Sequence, residues 1–189
     1  MKPTLNPSEI VMMRSVFRRH PKVTAVQLFG SRAKGTNAER SDIDLALLGN
    51  VTPLEGQEVA AELDELPIPY KYDVLVFNLV RDDALRDHVL RVGISLYPGE
   101  EALGGATEIE TYYKELLSGQ REIWSTLRNI PREETRALVI LGLIDTNGSY
   151  KEVAARFHVG PEEYRRFMDF LRRQNCLIDH RAFRKMQPR

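Results

Sequence analysis

Apolar positions change period along the chain, and the change divides it into two halves. Ile10, Met13 and Phe17 recur at helical spacing behind Asn6-Pro7, a cap followed by a first-turn proline, and His20-Pro21 is expected to end that helix. Val23 to Phe29 reads as a short strand that runs into Gly30-Ser31. Asp42 to Leu48 alternates enough to be a half-buried second strand, and Tyr70 to Phe77, rich in β-branched and aromatic residues, is a third. Between them Val59, Leu63 and Leu66 mark a helix over 54–66 that Pro67 and Pro69 stop. A short helix over 82–92 and a fourth strand, Ile94 to Tyr97, follow before Pro98-Gly99. Alternating strands and helices over about 98 residues are the pattern of a layered α/β domain.

Beyond a linker-like stretch at 100–106, strand signals disappear. Residues 107–129 and 131–146 read as two helices separated at Pro131, which suits a helix start. Ser149 and Glu152 have the spacing of a capping box, opening a helix to Phe157. His158-Val159-Gly160 forms a turn, and Pro161 opens another helix to about Gln174. Val153, Phe157, Val159, Tyr164, Phe167 and Leu171 make an inward stripe, with Ala154-Ala155 permitting close approach. Arg165, Arg166, Arg172 and Arg173 are left outward, where a helix-turn-helix at about 149–174 would present them to phosphates or base edges. Glu162 and Glu163 suit the helix dipole at that position but would repel DNA. Trp124 falls among Leu116, Leu117, Ile123 and Leu127, a setting for packing rather than base stacking. The expected organisation is a domain over 1–99, a linker over 100–106 and a helical domain over 107–189.

Composition narrows the function classes. Of 189 residues, 42% are hydrophobic and 29% charged, a globular balance rather than a disordered one. The longest apolar run, 137–144, falls far short of the ~20 residues of a membrane helix. The first residues lack the apolar core of a signal peptide, so a cytoplasmic protein is expected. Cys176 is alone, which leaves no intramolecular disulfide and no Cys-based zinc site, and His20, His88, His158 and His180 have no ligand spacing. Net charge is zero, but residues 1–130 carry −4 and residues 131–189 carry +4. The basic half suits nucleic acid or an acidic partner. The basic tail (Arg181, Arg184, Lys185, Arg189) reads as solvated.

Candidate chemistry lies in Gly30-Ser31-Arg32-Ala33-Lys34-Gly35 and Ser41-Asp42-Ile43-Asp44-Leu45. A strand that ends in Gly-Ser and enters a helical turn points backbone N–H groups outward, and glycine lets a phosphate come close. Asp42 and Asp44, two apart on a strand, project from one face. Adjacent carboxylates repel unless a cation lies between them, and Mg²⁺ is held by one or two carboxylates plus substrate phosphates. Asp73 stands among Tyr72, Val74, Leu75 and Val76, where a charge is costly unless it reaches the same site. Lys34 reads as solvated.

Gly-Ser, ten residues, then Asp-x-Asp resembles the motif of the polymerase-β-like nucleotidyltransferases. The fuller pattern, with Arg32, Ala33, Gly35, Ser41 and Leu45 in place, resembles the minimal nucleotidyltransferase branch over roughly residues 8–98. The resemblance implies an α/β (or α+β) polymerase-β-like domain with a mixed sheet, here followed by an all-α helix-turn-helix domain. It implies that Gly30 and Ser31 cradle a triphosphate and that Arg32 either stabilises phosphate charge or holds the turn. Asp42 and Asp44 would coordinate two Mg²⁺ ions, and Asp73 would ligate the catalytic metal and help deprotonate the acceptor hydroxyl. The implied reaction is transfer of AMP from ATP to a hydroxyl. Enzymes of this branch are often antitoxins that adenylylate a tyrosine of a helical HEPN toxin, so a toxin-like protein acceptor is implied. Residues 147–173 also resemble the Fis-like DNA-binding helices of bacterial activators.

Two other readings stand beside this one. The first is a nucleotide-sensing or catalytically inactive DNA-binding regulator, against which three intact carboxylates argue. The second is a small-molecule adenylyltransferase resembling those that modify aminoglycosides, whose acidic drug pocket a helix-turn-helix does not supply. Helix-turn-helix proteins often bind as dimers, and residues 107–146 are the candidate homodimer interface.

Overall fold

Capping chemistry sets the first helix of the computed structural model, which describes residues 5–38, 41–98 and 104–185. Asn6 accepts from the Glu9 N–H while the Glu9 carboxylate accepts from the Asn6 N–H, and helix α1 runs Pro7–Phe17. It ends before His20-Pro21, with Arg18 as its C-cap. Strand β1 (Val23–Leu28) leads to one turn of helix, α2 (Gly30–Lys34), and then to strand β2 (Ile43–Gly49). A second reciprocal box, Thr52 with Glu55, starts helix α3 (Pro53–Asp64). Strand β3 (Tyr72–Val76) is shorter than the apolar run predicts, because Phe77–Leu79 curls into a 3-10 turn. Asp82 caps helix α4 (Asp83–Val92), and strand β4 (Ile94–Tyr97) closes the sheet.

The sheet is mixed, in the order β3-β2-β1-β4. β1 pairs antiparallel with β2 and with β4, whereas β2 and β3 run parallel. Ile43, Leu45, Ala46 and Leu47 are fully buried on both faces of β2, as a central strand covered on both sides requires. On one face Ala46 packs with Phe29, Phe77 and Val89, flanked by Leu75, Leu85 and Val92, so α4 covers the face that also carries Asp44.

The chain divides into two compact units, Met1–Gly104 and Gly105–Arg189. Of the expected linker at 100–106, residues 100–103 lie outside the described residues, and Gly104 to Ala106 belong to helix α5 (Gly104–Leu117). The single helix expected over 107–129 is two. Gly119, at φ 75°, breaks it, and Glu122 accepts from the N–H groups of Trp124 and Ser125 to start helix α6 (Ile123–Asn129). Helix α7 (Arg132–Asp145) is buried around most of its circumference, from Ala137 to Leu143, and forms the axis of this unit. Helix α8 (Tyr150–Arg156) starts with Ser149 accepting from the Glu152 N–H at 3.3 Å. Gly142 on α7, rather than the exposed Ala155, makes room for α8: a Cβ there would meet Val153 Cγ1 at 2.8 Å. Helix α9 runs Tyr164–Arg173. It begins three residues after the expected Pro161, because residues 161–163 stay in a turn in which the Glu163 N–H donates to Gly160 C=O. Phe157, Val159, Phe167 and Leu171 are buried as expected, whereas Tyr164 is half-buried. Among the described residues no helix is long and apolar enough to cross a membrane.

Candidate functional site

The register of β1 on β2 delivers the glycine-rich turn to the acidic motif. Leu28 pairs with Leu45, and one residue on the Phe29 N–H donates to Asp44 C=O at 3.0 Å. The chain therefore turns at Gly30 directly beside Asp44. Gly30 has φ 67°, and a Cβ on it would stand 1.9 Å from Asp44 Oδ2. Glycine is required here twice, by the left-handed backbone and by contact with the Asp44 carboxylate. The side of Gly30 on which a Cβ would project faces the Asp44 carboxylate. Ser31 follows, half-buried, and Gly35 ends the turn at φ 71°.

The parallel pairing of β2 with β3 sets Asp44 directly opposite Asp73. Their side chains share one face, followed along the strands by the facing pair Ala46 and Leu75. Asp44 is half-buried, whereas Asp42 and Asp73 are exposed, so Asp73 is not the buried charge that its apolar neighbours suggest. Burial raises the Asp44 carboxyl above its ordinary range, and the charges of Asp73 and Asp42 push it the same way against the pull of Arg32. The three carboxylates thus share one electrostatic field. They do not form a preassembled cage: among the described residues no three His, Cys, Asp or Glu side chains are grouped to hold a metal ion.

Arg32 faces inward. Its guanidinium is fully buried, donates from Nε and Nη2 to Ser41 C=O at 3.0 and 2.7 Å, and lies 3.9 Å from the centre of the Tyr70 ring. Ser41 is further held by Ala38, whose N–H donates to Ser41 Oγ at 2.9 Å. Arg32 therefore grips the chain one residue before Asp42 and stacks on the segment that leads into β3. Tyr70, which the sequence reading did not single out, completes this grip. Lys34 is exposed.

Residues 12–102 match the family model described as polymerase beta, nucleotidyltransferase. This segment has the polymerase-β-like nucleotidyltransferase fold. Its fold, the mixed four-stranded sheet with the Gly-Ser turn beside the Asp-x-Asp strand, is the one the motif implies. Two solved structures are similar at the level of the chain. One is a toxin-antitoxin crystallised with AMP-PNP, 24% identical, covering 61% of this chain and 93% of that one with a TM-score of 0.42. The other is a mutant of the toxin-antitoxin MntA-HpeT, 22% identical, with the same coverage and the same TM-score. No curated protein matches the sequence.

In the second unit, the four candidate DNA-binding arginines all lie on the exposed side of α9. Arg165 is 95% exposed at its side chain, and Arg166, Arg172 and Arg173 are also exposed. They line an open groove of about 620 Å³ together with Glu162 and Asp169. Asp169 sits 2.6 Å from Arg172 and 4.0 Å from Arg165, and Arg173 donates to Asp169 C=O at 3.3 Å. Glu163 accepts from Arg166 at 3.1 Å. Glu163, singled out in the sequence, and Asp169, which was not, therefore order the arginines while offsetting part of their charge.

Proposed function

We propose that the first unit is a Mg²⁺-dependent nucleotidyltransferase that moves AMP from ATP to a hydroxyl acceptor, with Asp42, Asp44 and Asp73 as its acidic centre. The observation that carries this reading is the Asp44–Asp73 pair across β2 and β3, with the Gly30 backbone packed against Asp44 Oδ2. Asp44 holds its proton more tightly than an ordinary aspartate, first because it is half-buried and then because Asp73 and Asp42 are also acidic, and a divalent cation relieves the cost of ionising it. Mg²⁺ is commonly held by one or two carboxylates, keeps several waters and takes further oxygens from substrate phosphates. Asp42 and Asp44 would hold the cation, which when bound neutralises charge on the triphosphate and on departing pyrophosphate.

The chain's own residues account for the rest. Gly30, packed against Asp44, and Ser31 would cradle the triphosphate beside the acidic centre. Arg32 fixes Ser41 and hence the start of the Asp-x-Asp strand. Asp73, on the edge strand and exposed, is accessible to an acceptor. Its carboxylate takes the acceptor's proton as the hydroxyl oxygen bonds to the α-phosphorus, the bond to the bridging oxygen breaks, and pyrophosphate leaves. The acceptor we favour is a protein hydroxyl. For the second unit we propose a DNA-binding helix-turn-helix, supported by α8 and α9 packed through Phe157, Val159, Phe167 and Leu171, and by four outward arginines.

The test is transfer of label from α-³²P-ATP with Mg²⁺ to protein in a lysate of the source cell. The expected outcome is a labelled band that disappears with the double substitution Asp42→Asn/Asp44→Asn. Full labelling by that variant would remove both carboxylates from the mechanism. No label from the wild type, with ATP binding still measurable by calorimetry, would move the assignment to a nucleotide-sensing regulator.

A further inference from the structure

The second unit contains a charged pocket that the helix-turn-helix pattern does not anticipate. It measures about 150 Å³ and lies between α6 and α9, lined by Trp124, Arg128, Arg166, Phe170 and Arg173. Three of these five residues are arginines and none is acidic. The floor is aromatic: Trp124 meets Phe167 and Phe170 edge-on, with ring centres 6.5 and 6.4 Å apart. Low-dielectric walls of this kind strengthen the field of the cations above them.

One arginine is fixed before any ligand arrives. The Arg166 guanidinium lies 4.1 Å from the centre of the Trp124 ring, and Glu163 Oε1 accepts from both Arg166 Nη1 at 3.1 Å and Trp124 Nε1 at 3.1 Å. Two consequences follow. Arg166 covers that face of Trp124, which closes it to a stacking base, so the pocket suits an anion rather than an aromatic ligand. Arg166 is also pre-ordered, so its engagement costs little side-chain entropy. Arg128 and Arg173, both exposed, stand on opposite helices around it. The groove lined by Arg165, Arg166, Arg172 and Arg173, with Glu162 and Asp169 among them, shares Arg166 and Arg173 with the pocket. A pocket for one anion that continues into a row of arginines fits a polymer of regularly spaced phosphates better than an isolated anion.

We propose that the α6–α9 pocket clamps a single phosphodiester of duplex DNA, with Arg128 and Arg173 as its contacts and Arg166, held by Trp124 and Glu163, as the preset third donor. This deepens the DNA-binding reading of the second unit and rests on it. It adds α6, which lies outside the helix-turn-helix pattern, to the DNA-contacting surface. It also gives the acidic Glu163 a positioning role at a site where its charge alone would be unfavourable.

Trp124 is the sole tryptophan of the chain, so its emission reports on this pocket. The experiment titrates the full chain with a fluorescein-labelled 20-base-pair duplex of mixed sequence at several salt concentrations. Anisotropy gives affinity, and Trp124 emission is recorded in parallel with an unlabelled duplex of the same sequence. The comparison is wild type against Arg128→Gln/Arg173→Gln, whose folding is checked by circular dichroism, since both side chains are exposed. Expected are an emission change in the wild type that saturates with the anisotropy, and its loss in the variant. The variant's affinity should fall on the order of tenfold and its log–log salt slope should drop by about 1, one phosphate contact. Wild-type binding with an unchanged slope and unchanged emission response in the variant overturns the pocket and leaves the DNA-binding reading in place. Failure of the wild type to bind duplex at 50 mM salt overturns both. An emission response to inorganic phosphate without duplex binding overturns the assignment to nucleic acid.

Discussion

Asp44 concentrates the electrostatic cost of the acidic centre in one side chain. It is half-buried, packed on Gly30, opposite Asp73 and near Asp42, and its carboxyl titrates above the ordinary value of 3.8 because of burial first and like charge second. The sign of its effect on stability follows. Below pH 3.8 the carboxyl is protonated in folded and unfolded chains alike, and it contributes no difference. As pH rises the unfolded chain ionises first, so the folded state loses stability across the window from 3.8 to its raised value, and the deficit persists above that. Asp44→Asn keeps the shape against Gly30 and removes the charge. It should raise the thermal midpoint by a few degrees at neutral pH, and the gain should vanish below pH 3.8, as measured by thermal denaturation across pH without divalent ions. Adding Mg²⁺ should stabilise the wild type by linkage, by about 2.7 kcal/mol at a hundred times its dissociation constant, and leave Asp42→Asn/Asp44→Asn unmoved. A variant that gains equally at every pH would mean that the charge of Asp44 carries no such cost.

Between elements, the geometry of the centre depends on residues other than its three carboxylates. Arg32 joins α2 to the residue before Asp42 through two hydrogen bonds on one carbonyl, and joins both to the approach to β3 by stacking on Tyr70. Lysine keeps the charge and loses the planar fork and the stacking. Arg32→Lys should therefore destabilise the chain by about 2 kcal/mol and lower kcat for transfer ten- to a hundredfold by loosening Asp42. Circular dichroism and steady-state kinetics with ATP read the two effects separately, and unaltered kcat would confine Arg32 to stability.

Much of this element structure is legible in the chain. Asn6-Pro7, the prolines after Leu66 and the β-branched run at Tyr72 to Val76 each carry a local cause, and each element forms within a few residues of its expected place. The errors also have local causes. The helix expected over 107–129 breaks because apolar periodicity persists through Gly119, whose left-handed backbone no hydrophobic pattern registers. The late start of α9 reflects a turn held by hydrogen bonds at Gly160 and Pro161 that imitates a helical first turn. Asp42 and Asp44 declare themselves by their spacing. That Asp73 faces Asp44 does not, because parallel register between strands separated by a helix is set by tertiary packing. The contact of Gly30 with Asp44, and the inward turn of Arg32, are invisible for the same reason.

At the scale of the molecule the two units divide the chemistry. The first holds the sheet and the acidic centre, and the second is built around α7 and carries the arginines of α9. Charge follows the same division, −3 over residues 1–104 and +3 over residues 105–189. A centre that repels a polyanion unless a cation intervenes, and a surface that attracts one, interfere least when they stand on separate cores. Separability is the consequence. Asp42→Asn/Asp44→Asn should lower label transfer at least ~10²-fold and leave duplex affinity and its salt slope unchanged. Arg165→Ala/Arg172→Ala should weaken duplex binding and reduce the slope by up to about 2, with transfer in the absence of DNA within twofold of wild type. Both assays use the intact chain, so each variant serves as the folding control for the other. If the arginine variant loses transfer without DNA, the second unit supports the acceptor rather than a nucleic acid. If the carboxylate variant loses duplex binding, occupancy of the first unit governs the second, and the protein works as a nucleotide-controlled DNA-binding switch.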